Sequence, residues 1–186
     1  MQTAEVGGTE VPKGGWARFT QDQTIYARWE ANTYPVVLVN AESVPDEILV
    51  AVGSPYGLPV PERAGYTFEG WYTKASGGKK VGLMEIVTEL DSHFLYARWE
   101  ANAYTVTFDP GEGEVSPASM RVTYGERYGD LPWPTRADFV FTGWFPEAGG
   151  KGRRVSETDV IRFTEDQMLY AGWIGDPGET GETTGH

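Results

Sequence analysis

Tyr66-Thr67-Phe68-Glu69-Gly70-Trp71-Tyr72 is followed later in the chain by Phe139-Val140-Phe141-Thr142-Gly143-Trp144-Phe145, the same order of aromatic, glycine and tryptophan. Downstream of each copy lies a second signature, Tyr96-Ala-Arg-Trp99 and Tyr170-Ala-Gly-Trp173, which also occurs a third time as Tyr26-Ala-Arg-Trp29. The Gly-Gly pairs at 7–8, 77–78 and 149–150 lead into Val11, Val81 and Val155, and each valine stands 18 residues before its tryptophan. Fixed spacing of this kind is the mark of a repeat architecture. Two full units follow, offset by 70 residues from Tyr34 to Tyr104. The expected organisation is a complete repeat at 34–101 and another at 102–174. Residues 1–29 read as the C-terminal part of a truncated repeat, and residues 175–186, acidic and rich in Gly and Thr, as a flexible tail or linker.

Within a unit the pattern is mostly that of strands. Tyr104-Thr-Val-Thr-Phe-Asp109 alternates apolar and polar with period two, as do Met120, Val122 and Tyr124 with their neighbours, which predicts an antiparallel hairpin. The first unit repeats this with Tyr34, Val36 and Leu38, then Ile48, Val50 and Val52, although Val39-Asn-Ala-Glu-Ser43 replaces the glycine-rich turn. Next come Tyr56-Gly-Leu-Pro-Val-Pro61 and Tyr128-Gly-Asp-Leu-Pro-Trp-Pro134. Alternating prolines fit neither a helix nor a central strand, so these segments read as connectors, with a peptide-docking motif as the alternative. The Gly-Trp stretch is the third strand, and the Gly-Gly turn after it implies a second hairpin or a long loop. Val81 to Leu90 is ambiguous, and Ser156-Glu-Thr-Asp-Val-Ile161 admits a capped helical turn. The last strand carries Tyr-Ala-x-Trp, with Leu95, Ala97 and Trp99 on one face.

The net charge of −12 repels phosphate backbones and anionic lipid heads, so neither nucleic acid nor a membrane surface is an expected partner. No apolar run approaches the ~20 residues that cross a bilayer. With no cysteine, disulfides and thiolate chemistry are excluded. Met1-Gln-Thr-Ala-Glu5 has neither the basic nor the apolar region of a signal peptide, and the repeat pattern leads us to expect one farther upstream.

Taken jointly, Tyr104-Thr-Val-Thr-Phe-Asp109, Val122-Thr-Tyr-Gly125, Leu131-Pro132 with Pro134, Phe141-Thr-Gly-Trp144 and Leu169-Tyr-Ala-Gly-Trp173 resemble the Listeria–Bacteroides repeat, also called the internalin B-repeat. The first unit carries the same resemblance in Tyr66 to Tyr72, Ser76-Gly-Gly78 and Leu95 to Trp99. The resemblance implies a mainly β or small α+β fold: tandem β-grasp-like modules of about 70 residues, strung like beads on secreted or wall-attached bacterial surface proteins. It implies no catalytic residues, cofactor or metal.

The residues themselves add no catalytic constellation. His93 and His186 have no partner at ligand spacing, and Asp109-Pro-Gly-Glu-Gly-Glu114 lacks the alternation of a calcium loop and reads as a solvated turn. The expected role is a non-catalytic extracellular region that serves as stalk and as an adhesion or protein-interaction module. Its partners would be a host or bacterial surface protein or glycan, and neighbouring repeats of the same chain. Alternatives are a glycan-binding module using exposed aromatics, and homotypic association through the incomplete N-terminal repeat. Trp71, Trp144 and Trp133 are the candidate interaction residues. Strict alternation puts Trp71 and Trp144 opposite the aromatics around them, whereas a bulge at Gly70 or Gly143 would turn both indoles into the core.

Overall fold

A computed structural model describes residues 24–175, together with Gly14, Gln21 and Asp22. The expectations for most of residues 1–23 and for 176–186 lie outside the described residues. The described chain forms two mixed sheets, one per repeat, and no helix. No helix forms around Ser156–Ile161; the segment makes a single turn, closed by Asp159 N on Ser156 O (2.9 Å) and capped by Asp159 Oδ2 accepting from Ser156 N (2.9 Å).

The first sheet contains β1 (Thr33–Val39), β2 (Glu47–Ala51), β3 (Tyr66–Tyr72), the short β4 (Lys80–Val81) and β5 (His93–Ala101), in the order β2-β1-β5-β3-β4. The second contains β6 (Ala103–Asp109), β7 (Ser119–Thr123), β8 (Phe139–Phe145) and β9 (Gln167–Gly175), in the order β7-β6-β9-β8. In each, the first two strands form the predicted antiparallel hairpin, with Val36 opposite Ile48 and Val106 opposite Met120. The last strand lies in the middle, parallel to the first and antiparallel to the third. A parallel pair needs a long crossover, and everything between the first hairpin and the last strand supplies it.

One face of each sheet is apolar. Val36, Leu38, Val50, Trp71, Leu95 and Ala97 are buried in the first repeat, and Val106, Phe108, Val122, Trp144, Leu169 and Ala171 in the second. With no helix to cover that face, irregular chain does so, and its own polar groups must be paired. The connector and the segment before the last strand pair with each other: Gly53 N donates to Val87 O (2.9 Å), Tyr56 N to Glu85 O (2.9 Å) and Val87 N to Ser54 O (2.9 Å). Gly125 N to Ile161 O (2.9 Å) and Ile161 N to Glu126 O (2.8 Å) repeat the arrangement. Pro61 and Pro134 are fully buried within this layer, so the Pro-x-Pro stretches are core connectors.

The third copy of Tyr-Ala-x-Trp behaves differently. Residues 24–32 form no strand, and Trp29 is 88% exposed. In the complete repeats this segment is a central strand with a neighbour on each side; no described strand flanks residues 24–32.

Candidate functional site

Trp71 and Trp144 do not form a surface. They are 0% and 1% exposed, among the most buried side chains of the molecule. The cause is a bulge: the pairing of β3 with β5 shifts register between Phe68 and Gly70, and that of β8 with β9 between Phe141 and Gly143. Gly70 and Gly143 have φ of 136° and 139°, a region that side chains other than glycine rarely adopt. The extra residue turns the following tryptophan to the face of Phe68 and Phe141, with ring centroids 5.6 and 5.3 Å apart. Each buried indole N–H is satisfied by the connector, Trp71 Nε1 on Pro59 O and Trp144 Nε1 on Pro132 O, both at 2.8 Å. These tryptophans pin the sheet to its covering layer, and the expectation that they contribute an interaction surface is corrected.

Trp133, the third candidate, is 71% exposed and meets Phe141 edge-on at 5.0 Å. It belongs to a cluster present in both repeats. In the first, Arg63 lies over the Trp99 ring (4.7 Å) and beside Tyr66 (5.8 Å), while its Nε donates to Glu42 Oε1 at 2.8 Å. A second guanidinium nitrogen reaches Asn40 O and Asn40 Oδ1 at 3.2 and 3.1 Å. In the second, Arg136 stacks over Phe139 at 3.8 Å and pairs with Glu112. Phe68 packs on Trp99, and Phe141 on Trp173. The shared parts are therefore an arginine after Pro-x-Pro, a glutamate from the turn that follows the first strand, and an aromatic row. In the first repeat they line an open groove of about 670 Å³, bordered by Glu42, Val60, Arg63, Tyr66, Phe68 and Trp99.

Position 60 is valine and the equivalent position 133 is tryptophan, so the second repeat has an exposed indole where the first has an aliphatic side chain. The carboxylates of 109–114 lie on a solvated turn, as expected, and two of them make local contacts. Glu112 holds Arg136, and Asp109 Oδ1 accepts from Gly111 N at 2.8 Å. The groove combines aromatic rings with charged side chains, and its arginine is already paired with Glu42 and Asn40.

His93 is not isolated. Its Nε2 is 2.9 Å from Tyr56 Oη, which donates to Glu89 Oε2 at 2.7 Å, and its Nδ1 is 3.0 Å from Asp91 O. Burial, then the bond to Glu89 and its charge, push the Tyr56 hydroxyl far above the usual tyrosine range. Burial pushes the Glu89 carboxyl upward, but its bonds to Tyr56 and to backbone amides outweigh that and hold it below its ordinary value. The contact spans 37 residues, which no local spacing reveals. The cluster is not repeated: Phe163 and Gln167 stand where Glu89 and His93 do, and Tyr128 packs on Phe163 instead. Among the described residues no group of three or more His, Asp or Glu is placed to hold a metal ion. No helix among them is long and apolar enough to cross a membrane.

The repeats also touch each other. Only Asn102 separates β5 from β6; its N–H donates to Gly65 O (2.9 Å) and its carbonyl accepts from Tyr124 N (2.9 Å). Its side-chain oxygen accepts from Thr67 Oγ1 at 2.6 Å, and Tyr66 and Tyr124 meet edge-to-face at 5.3 Å. At the preceding junction Asn32 O accepts from Val52 N (3.1 Å), the same bond one repeat earlier.

Comparison with known proteins places this geometry in a family context. The family model described as the Listeria-Bacteroides repeat domain matches residues 40–98 and 104–172. A protein of Evansella cellulosilytica named as a membrane protein is 33% identical over 83% of this chain and 23% of its own length. A Gly-rich membrane protein of the same organism is 29% identical over 84% of the chain and 18% of its own length. Internalin H of Listeria monocytogenes is 34% identical over 48% of the chain and 16% of its own length. The chain thus spans less than a quarter of each of these relatives.

Proposed function

From a chain that belongs to the Listeria-Bacteroides repeat family, we propose a non-catalytic spacer in an extracellular bacterial surface protein, whose repeats also present a surface for adhesion or protein interaction. The observation that carries this reading is the course of the chain through a repeat. It enters at the start of the first strand and leaves at the end of a parallel last strand, so entry and exit lie at opposite ends of the sheet. A single residue then passes the chain to the next repeat. Such an arrangement gains length with every repeat added. Relatives named internalin and membrane protein support a place at the cell envelope. Antibody raised against residues 34–174 should label intact, unpermeabilised cells of the source bacterium, and protease added outside should remove the label. Signal only after lysis overturns the extracellular reading.

A second reading, glycan binding, is favoured by one observation: Trp133 is exposed on an aromatic floor beside Arg136. On a glycan array the wild-type chain should bind and Trp133→Ala should not. Absence of wild-type binding removes this reading and leaves the spacer role untouched.

A further inference from the structure

The Tyr-Ala-x-Trp signature has a role that packing alone does not explain. Trp99 and Trp173 are only partly buried, yet each indole N–H makes the same long-range bond. Trp99 Nε1 donates to Asn40 O at 2.9 Å and Trp173 Nε1 to Pro110 O at 3.1 Å. Asn40 and Pro110 are equivalent positions, each the first residue beyond the end of its repeat's first strand. Both bonds therefore tie the last strand to the end of the first, extending the parallel ladder. That ladder pairs Val36–Val39 with His93–Tyr96 and Val106–Asp109 with Gln167–Tyr170, four residue pairs in each repeat. The first repeat adds Asn40 Nδ2 on Ala97 O (3.1 Å). The second adds Thr105 N on Asp166 Oδ1 (2.8 Å), where the first has Pro35 and no N–H to give.

We propose that each repeat is a mechanical clamp, built so that tension along the chain shears its two terminal strands instead of peeling them apart. The direction of load follows from topology. Tension pulls the first strand by its N-terminal end and the last by its C-terminal end, and in a parallel pair these ends point in opposite directions along one axis. All rungs of the ladder are then strained together, and the tryptophan bond is strained with them. The last strand is central, so sliding it also breaks its antiparallel pairing with the third strand, from Tyr66–Ala101 to Tyr72–Tyr96. At the junction the backbone bonds of Asn102 pass the load to the next sheet. Use of the clamp in a stalk rests on the spacer reading above; the clamp itself is a property of the fold.

The absence of cysteine makes the test direct, because paired cysteines place pulling handles at chosen sites in the full chain. Thr33→Cys with Glu100→Cys loads the first repeat in shear. Glu42→Cys with Glu100→Cys pulls both strands from the same end and unzips them one rung at a time. In single-molecule force measurements the shear pair should rupture at roughly two-fold higher force or more, since forced unfolding reports the barrier and not the equilibrium. Trp99→Phe should lower the shear force, because the indole bond to Asn40 is strained together with the ladder. Equal forces in the two geometries overturn the proposal, and so does a shear force indifferent to Trp99→Phe. Equivalent handles in the second repeat, at Ala103 or Glu112 with Ile174, provide an independent copy of the test if a first-repeat variant fails to fold. Surface labelling decides the spacer reading separately, so either idea can fail alone.

Discussion

Between the alanine and the tryptophan of its last strand the first repeat carries Arg98 and the second Gly172. The Arg98 guanidinium stacks 3.8 Å above the Tyr72 ring and donates to the carbonyls of Lys74 (3.1 Å) and Gly77, strapping down the Gly-Gly loop. In the second repeat the ring at the same place, Phe145, lies against bare backbone. A Cβ on Gly172 would come within 2.5 Å of Phe145 and 2.6 Å of Thr142 Oγ1. One loop is held by a cation over a ring, the other by a ring over a glycine. The first repeat likewise supports Tyr56 with Glu89 and His93, where the second packs Tyr128 and Tyr104 around Phe163. What stays constant is the pairs Trp71/Trp144 and Trp99/Trp173, the bulge glycines and the buried prolines. The difference teaches that the repeat is defined by its ties between layers, while the side chains around them trade polar for apolar support.

The largest test of that division removes a tie. Trp71→Ala and Trp144→Ala should each cost about 3–5 kcal/mol in their own repeat, enough to unfold a unit of this size. Urea unfolding followed by tryptophan fluorescence should show the other repeat still melting near its wild-type midpoint. Loss of both repeats from either substitution breaks the picture of separate cores. Exchanging the variable position comes next: Gly172→Arg should destabilise the second repeat by about 1–3 kcal/mol through overpacking. An unchanged midpoint would mean that Phe145 can move aside.

Smaller effects sharpen the comparison. Tyr124→Val copies the residue at the first junction, Val52, and should remove about 0.5–1.5 kcal/mol of edge-to-face contact with Tyr66. Comparing its midpoint with that of Tyr66→Leu and of the double variant isolates the pair. The pH response is the finest probe. Because the folded Tyr56 hydroxyl titrates above its ordinary 10.0, its share of stability is complete below about pH 10 and falls as pH rises beyond it. Tyr128 is raised in the same direction, by burial and then by the charge of Asp159. Tyr56→Phe should flatten the alkaline loss of the first repeat only, read from urea midpoints between pH 9 and 11.

The strands were legible in the sequence because period-two alternation reports directly on which face is buried. The hairpins at Tyr34 and Tyr104 and the Tyr-Ala-x-Trp strands of the two complete repeats appear where the pattern places them. The orientation of Trp71 and Trp144 was not legible, since a bulge inverts the alternation beyond it and only the partner strand reveals one. The cover of the core was hidden for a related reason: Tyr56–Pro61 and Val81–Val87 have no period, yet they pair with each other across the sheet face. At the candidate groove the sequence singles out Trp133 but not Arg63–Glu42 or Arg136–Glu112. Their partners lie 21 and 24 residues apart, across a strand and the irregular connector, so no local spacing implies the contact.

The central place of the last strand also governs when a repeat can fold during synthesis. The strand at the middle of each sheet is the one made last, so the hairpin that precedes it waits with an unpaired edge until Leu95 or Leu169 has emerged. No partial sheet can close around a missing middle. Each repeat therefore commits late and as a whole, and an unfinished repeat carries an open strand edge of the kind that invites pairing with another chain. Completing one repeat before the next begins, with a single asparagine between them, keeps that exposure to one unit at a time.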